Sequence, residues 1–412
     1  MNKKENVLLV VVDFYERDTW SVQDVGDELE ELVKSCAGNV VERVIAKCDK
    51  PTAKFLIGQG KVEEIAEVCS LKPVDTVIFS HDLKGSQQRN LEEEIKTRII
   101  DRTQLILDIF ARHAKSQEGK SQVELAQLEY LLPRLVGHGV ELSRLGGGIG
   151  TIGPGETKLE VDRRRIADRI SRLKAELKDI TASRRIKRHK RKELKVPGVA
   201  LVGYTNAGKS TLLNAFTDAH QKTQDGLFTT LDPLSRQYDL PNNQKIVLSD
   251  TVGFMYELPH HLIESFKATL EEVMEADLLL HVLDVSNPRF HQLHDAVLTV
   301  LKELGAHDKT TITVLNKIDK VKDKVSLRHI KDNFENAVCI SALNGDNLSE
   351  LNDRIIKFLS PLVAEIDVTI PLQRMDLVNL LHKEGQVHKI EYSANSIHIQ
   401  ASVPQKIVKK FQ

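Results

Sequence analysis

The run Gly203-Tyr204-Thr205-Asn206-Ala207-Gly208-Lys209-Ser210-Thr211 holds residue types that can grip phosphate. It fits the G-x-x-x-x-G-K-[ST] pattern and stands in the context that pattern needs, between an apolar run at 199–202 and an amphipathic one at 212–216. Gly203 and Gly208 let the backbone curl so that successive N–H groups point into one concavity that attracts anions. A helix starting near Gly208 adds the positive end of its dipole. Lys209 reaches the outer phosphates, and the Ser210 hydroxyl can join the coordination of Mg²⁺. The chemistry is capture of a nucleoside triphosphate.

Three later segments narrow the nucleotide. Asp250-Thr251-Val252-Gly253 follows an apolar strand; the acid there holds Mg²⁺ through water, and the Gly253 N–H meets a γ-phosphate. Asn316-Lys317-Ile318-Asp319 follows another. The Asp319 carboxylate accepts from N1–H and the exocyclic amine of guanine, a donor pair that adenine lacks. Lys317 covers the base with its aliphatic stem, and Asn316 ties this loop to the phosphate loop. Ser341-Ala342, followed by Leu343, closes the pocket, with a backbone N–H expected at guanine O6.

Between the first two motifs lies Phe228-Thr229-Thr230-Leu231-Asp232-Pro233. A threonine that joins Mg²⁺ only when the γ-phosphate is present is the expected sensor, Thr230 ahead of Thr229. The expected catalytic set is Lys209, Thr230 and Gly253, with Ser210 and Thr230 as metal ligands and Phe228 counted with the nucleotide contacts. Phe254 stands where many GTPases place a water-orienting glutamine. A phenyl ring cannot hydrogen-bond water, so intrinsic hydrolysis is expected to be slow and to rise when a partner supplies the missing group.

These residues need a scaffold. Apolar runs at 199–202, 245–249, 278–284, 311–315 and 337–340 alternate with amphipathic segments, which predicts a doubly wound, mostly parallel sheet over residues 196–363. A second α/β domain is expected at 1–111, with strands at 7–12, 40–46 and 74–79. Within it, Leu56-Ile57-Gly58-Gln59-Gly60-Lys61 reads as a tight turn before a helix, and Ser86-Gln87-Gln88-Arg89-Asn90 as a solvated first turn. Residues 364–412 read as a small β-rich domain.

Residues 112–195 differ. Leu125, Leu128, Leu132 and Leu135 form one helical stripe, and Leu159, Ile166, Ile170, Leu173, Leu177 and Ile180 a second. They predict an antiparallel helical hairpin around a loop bearing Gly146, Gly147, Gly148, Gly150, Gly153 and Gly155. From Arg163 to Lys195 there are 15 basic residues against 4 acidic ones, enough to predict salt-dependent contact with a nucleic-acid backbone.

Bulk composition excludes little. The 412 residues are 41% hydrophobic and 28% charged, as in ordinary globular proteins, and a net charge of −1 averages over uneven segments. The 4 cysteines (Cys36, Cys48, Cys69, Cys339) are scattered, which suits reduced thiols in a core. No apolar run has the length of a signal segment or a membrane span.

The motifs GYTNAGKST, FTTLDP, DTVGF, NKID and SAL, with LIGQGKVEEI, QQRNLEEE and GGGIGTIGPGETKLE, resemble the HflX family of translational GTPases over nearly the whole chain. Ile152 stands where many members carry a basic residue, and Leu234 where a threonine commonly follows Asp-Pro. The resemblance implies GTP and GDP as ligands with Mg²⁺, and Asn206 resembles the position that lets related GTPases use K⁺. It also implies a monomer that binds the large ribosomal subunit, with hairpin and Gly-rich loop on ribosomal RNA, and that splits or rescues stalled ribosomes under stress. No DNA partner and no stable membrane insertion are expected; the cytoplasm is the expected location, the basic helix being compatible with peripheral membrane contact.

Two other classes stay open on sequence alone. One is a nucleotide-dependent RNA remodeller or helicase with an N-terminal ATP site, the other a GTP-regulated scaffold for proteins or an acidic lipid surface.

Overall fold

A computed structural model of the chain describes residues 4–14, 20–137, 158–193, 196–217, 228, 234–256, 267–359, 363–393, 395–404, 408 and 411. The chain divides into two units, Met1–Ile180 with Gly226–Leu231 and Pro259–Phe266, and Thr181–Asp225 with Asp232–Leu258 and Lys267–Gln412.

The first unit is built on a parallel sheet of order β2-β1-β3-β4. Its central strand β1 (Asn6–Asp13) is buried from Val7 to Val12, the continuous apolar run that a strand covered on both faces requires. β2 (Asn39–Lys47) and β3 (Thr76–Phe79) flank it. Helix α1 (Val22–Ser35) starts on a reciprocal cap in which Ser21 Oγ accepts from the Asp24 amide and Asp24 accepts from the Ser21 amide. β4 (Arg98–Asp101) was not expected; four residues opened by an arginine give almost no periodicity to read.

Helices α2 (Gln59–Leu71) and α3 (Gly85–Ile95) lie against one another. The turn before α2 is tight, with Thr52 and Leu56 exchanging backbone hydrogen bonds and Leu56 at φ 70°. The polar cluster at the start of α3 is not a solvated turn. Gln87 is buried and donates to the Thr52 carbonyl at 2.8 Å, while Asn90 donates to the Lys54 carbonyl at 2.9 Å. These amides fasten the 52–57 loop to α3.

Asp101 ends β4 fully buried. It caps α4 (Arg102–His113) through the Gln104 amide and accepts from the Leu83 amide and from Arg134 Nη2 at 3.1 Å. Burial pushes its carboxyl up, and the Arg134 guanidinium opposes that shift while stacking 3.4 Å over the Tyr130 ring.

α5 (Gln117–Leu131) and α6 (Lys158–Glu193) carry the two leucine stripes, which meet at Leu125, Ile170 and Leu173. Their direction corrects the hairpin expectation. Arg169 pairs with Glu124 and Lys174 with Glu129, so the contact advances the same way along both helices and they run parallel here. The Gly-rich loop at 146–155 lies outside the described residues.

The second unit holds a six-stranded sheet, order β10-β9-β8-β5-β7-β6. β5 (Gly198–Gly203), β7 (Lys245–Asp250), β8 (Leu278–Asp284), β9 (Thr311–Asn316) and β10 (Ala337–Cys339) are parallel; β6 (Leu234–Asp239) is an antiparallel edge. Val199, Leu201, Leu278, Leu280, Ile312 and Val314 form its buried centre. Helices α7 (Lys209–Thr217), α8 (Lys267–Glu275), α9 (Phe290–Glu303), α10 (Lys324–Asp332) and α11 (Leu348–Leu359) complete the doubly wound pattern.

A three-stranded antiparallel sheet follows, β11 (Val363–Pro371), β12 (Gln386–Tyr392) and β13 (Ser396–Pro404), with β13 central and α12 (Met375–Glu384) across it. It is moored to the larger sheet. Asn243, in the β6–β7 turn, donates from Nδ2 to the carbonyls of His382 at 3.4 Å and Gly385 at 3.2 Å.

Candidate functional site

The C-terminal ends of β5, β7, β8 and β9 lie side by side, because the strands are parallel and in register. Each delivers one functional segment, the arrangement that open α/β sheets use for ligands. From β5 comes the phosphate loop. A Cβ on Gly203 would lie 2.2 Å from the Val282 carbonyl oxygen, and one on Gly208 would lie 2.3 Å from Asn316 Nδ2, so both positions require glycine.

Lys209, the first residue of α7, is buried and donates from Nζ to the carbonyls of Gly203 at 3.0 Å and Tyr204 at 2.8 Å. Burial pulls its ammonium down to about 8, with Asp250 pushing the other way and Lys317 adding to the fall. A desolvated cation in a ring of amides is matched to an anion. Thr205 Oγ1 is also buried with no partner among the described residues, a donor left for a phosphate oxygen. Of the remaining loop residues, Asn206 is exposed, Ala207 is buried and Thr211 is half-buried on α7.

Ser210 Oγ donates to Asp250 Oδ2 at 2.6 Å. The two groups expected on the metal side therefore meet, which fits a Mg²⁺ ion held by the hydroxyl with the carboxylate behind it. Thr229 and Thr230, the expected sensors, lie outside the described residues. Thr251 is a structural residue: fully buried, it donates from Oγ1 to the Leu201 carbonyl at 2.7 Å and locks β7 to β5. Val252 and Phe254 are buried, so the phenyl ring faces no solvent that it could orient. Gly253 stacks on the loop beside Thr205 and Lys209.

At the base end, Asn316 Nδ2 donates to the Ala207 carbonyl at 2.9 Å, tying the two loops as expected. Lys317 sits at φ 64° and donates from Nζ to the Asn206 carbonyl at 2.7 Å. Asp319 accepts from Ser341 Oγ at 2.6 Å, which aims its carboxylate. Leu343 is 74% exposed at the rim, an apolar surface that suits a flat base. The Ala342 amide donates to Asn316 Oδ1 at 3.0 Å, which gives the carbonyl of the buried asparagine the donor it needs.

Phe228 is 2% exposed and packs edge-on against Phe110 of α4, ring centroids 4.7 Å apart, within the first unit. Sequence reasoning missed Asp284, whose carboxylate holds Lys317 Nζ at 2.7 Å. Its signal was positional, since it ends β8 at the level of Asp250 and Asn316.

Residues 198–317 match the model described as 50S ribosome-binding GTPase, residues 23–111 that of the GTP-binding GTPase N-terminal region, and residues 113–191 that of the GTP-binding GTPase middle region. The N-terminal match thus belongs to a GTPase, and nothing in it supports the remodeller with its own ATP site. Among solved structures, a GTP-binding protein from Sulfolobus solfataricus in complex with GDP is 26% identical, covering 87% of this chain and 99% of that one at a TM-score of 0.43. GTPase HflX of Escherichia coli is 42% identical, covering 92% of this chain and 89% of its own. GTPase HflX of Lacrimispora saccharolytica is 45% identical over 98% of this chain and 95% of that protein. With its three segments matched in order and such identity from end to end, the chain belongs to the HflX GTPase family.

Proposed function

We propose that this GTPase binds the large ribosomal subunit through ribosomal RNA and uses its nucleotide state to time the splitting or rescue of stalled ribosomes under stress. Hydrolysis of GTP itself follows from membership of the family. The observation that carries the ribosomal part is the face of α6. Arg163, Arg164, Arg165 and Arg172 are exposed there, on the helix that continues through the basic run 184–192 to Glu193. Such a stripe neutralises phosphates without reading bases. The description of the G-domain match, 50S ribosome-binding, points the same way.

In the site, Lys209 and the loop amides hold the phosphates, Ser210 with Asp250 and Thr230 would hold Mg²⁺, and Asp319 reads guanine. Mg²⁺ supplies neutralisation of charge between the outer phosphates. Asn206 is proposed to favour a K⁺ ion beside the loop; equal turnover in K⁺ and Na⁺ would remove that part. The domains at 1–111, 112–195, 196–363 and 364–412 are proposed to act in a cytoplasmic monomer. No helix among the described residues is long and apolar enough to cross a membrane.

The test is cosedimentation with purified large subunits and, separately, with anionic liposomes, at low and high salt, alongside GTP turnover. Salt-sensitive pelleting with subunits and faster turnover on them are expected. Pelleting with liposomes alone, or turnover that subunits leave unchanged, would sink the ribosomal reading in favour of the scaffold.

A further inference from the structure

We propose that Tyr204 is a positioning residue that latches the segment after Gly253 onto the phosphate loop and so biases the site toward a nucleoside diphosphate. This inference rests on the guanine-nucleotide site alone and does not depend on any partner.

Position 204 contributes to phosphate binding through its backbone, so the loop pattern places no demand on its side chain. Here the side chain is a buried tyrosine whose hydroxyl accepts from the Tyr256 amide at 2.8 Å. Two backbone bonds lie beside it. The Phe254 amide donates to the Gly203 carbonyl at 3.1 Å, and the Thr205 amide donates to the Phe254 carbonyl at 2.8 Å. Tyr204 and Phe254 thereby form a parallel bridge beyond the end of the sheet. The phenol extends that two-bond zipper by one more rung, at a distance that no backbone group of the loop reaches.

The zipper competes with a third phosphate. While it is closed, the Thr205 amide of the loop is spent on the Phe254 carbonyl and is withheld from any phosphate oxygen. Gly253 lies so close to the loop that a Cβ on it would be 2.8 Å from Thr205 Cα and 3.1 Å from Lys209 Nζ. Even a Cβ finds no room in that gap, so a γ-phosphate oxygen entering between Gly253 and the loop beside Lys209 requires the two to part. A diphosphate stays within the loop and leaves the zipper closed. The third phosphate must open it, and each rung that resists opening is subtracted from triphosphate affinity alone. Phe254 and Met255, each 1% exposed, are carried with the segment, so opening it also moves the residues that stand at the water-orienting position.

The experiment uses the full chain with Tyr204→Phe, which keeps the ring and removes one acceptor. Fluorescent GDP and a fluorescent non-hydrolysable GTP analogue are titrated, and amide exchange is followed at Tyr256. Loss of one hydrogen bond predicts analogue affinity rising about three- to tenfold relative to GDP. Exchange at Tyr256 is expected to accelerate by a comparable factor, with the unfolding temperature close to wild type. Equal changes for the two nucleotides, or a Tyr256 amide as protected as in wild type, would overturn the latch. A failure to bind either nucleotide would instead count against the site itself.

Discussion

Asn316 and Ala207 are joined across the nucleotide site: the asparagine Nδ2 lies 2.9 Å from the alanine carbonyl, while its Oδ1 accepts from the Ala342 amide. One side chain thus fixes the phosphate loop against the two loops that frame the base. Asn316→Ala leaves a buried carbonyl and a buried amide without partners. At roughly 1–3 kcal/mol for such a loss, GDP binding should weaken about ten- to a hundredfold, measured by titration calorimetry. Unchanged affinity would show that the loops hold their places without the bridge.

Asp319 should set the base. Its carboxylate is an acceptor on both oxygens and is aimed by the Ser341 hydroxyl. Asp319→Asn puts an N–H where an acceptor stood, opposing the guanine amine and matching a base with a carbonyl at that position. Competition between GTP and xanthosine triphosphate should shift toward the latter by roughly 10³-fold or more. Weaker binding of both in proportion would mean that the aspartate holds the loop and does not read the base.

Acid should loosen the G domain through His281. Its ring, on central strand β8, is 1% exposed, stacks 4.9 Å from His294 and has no hydrogen-bond partner for either nitrogen among the described residues. Burial pulls it down to about 3, with the His294 and Lys209 charges adding to the effect. The folded value lies below the unfolded one, so the stability it permits is complete above about pH 6.5 and drains away as pH falls toward 3. Melting curves of wild type and His281→Phe between pH 7.5 and 4.5 should diverge, the wild type losing more. Parallel curves would acquit the histidine.

Phe110 and Phe228 should couple. Edge-on rings at 4.7 Å are worth about 0.5–1.5 kcal/mol beyond the area they bury. A double-mutant cycle with Phe110→Leu and Phe228→Leu, read by thermal unfolding, should return a coupling of that size. Additive losses would mean that the two rings touch without supporting each other.

The nucleotide loops were readable because parallel strands buried on both faces are written as apolar runs, and each loop follows such a run directly. Edge strand β6 was less readable: its alternating half-buried pattern sits among polar residues. The Gln87 and Asn90 amides show a second limit, since composition cannot reveal whether a polar side chain has found a buried carbonyl. Ala342 and Tyr204 show a third. Spacing identifies the backbone that a motif needs, but the partner that an amide or a phenol takes depends on the neighbouring loop, which only the fold brings near. The direction of α5 against α6 belongs here too, because a leucine stripe has no arrowhead and the ion pairs that give one are 45 positions apart.

The mooring of the small terminal sheet has a mechanical reading. Asn243 is the tip of a two-stranded rod whose far end pairs Leu234 with Asp250, the aspartate that takes the Ser210 hydroxyl. Six paired residues span about 20 Å, and a ladder of backbone hydrogen bonds resists shear far better than a loop does. Force applied to the last fifty or so residues is therefore delivered along β6 and β7 to the metal side of the nucleotide site. The C-terminal domain is a handle, and the handle's shaft ends at Asp250.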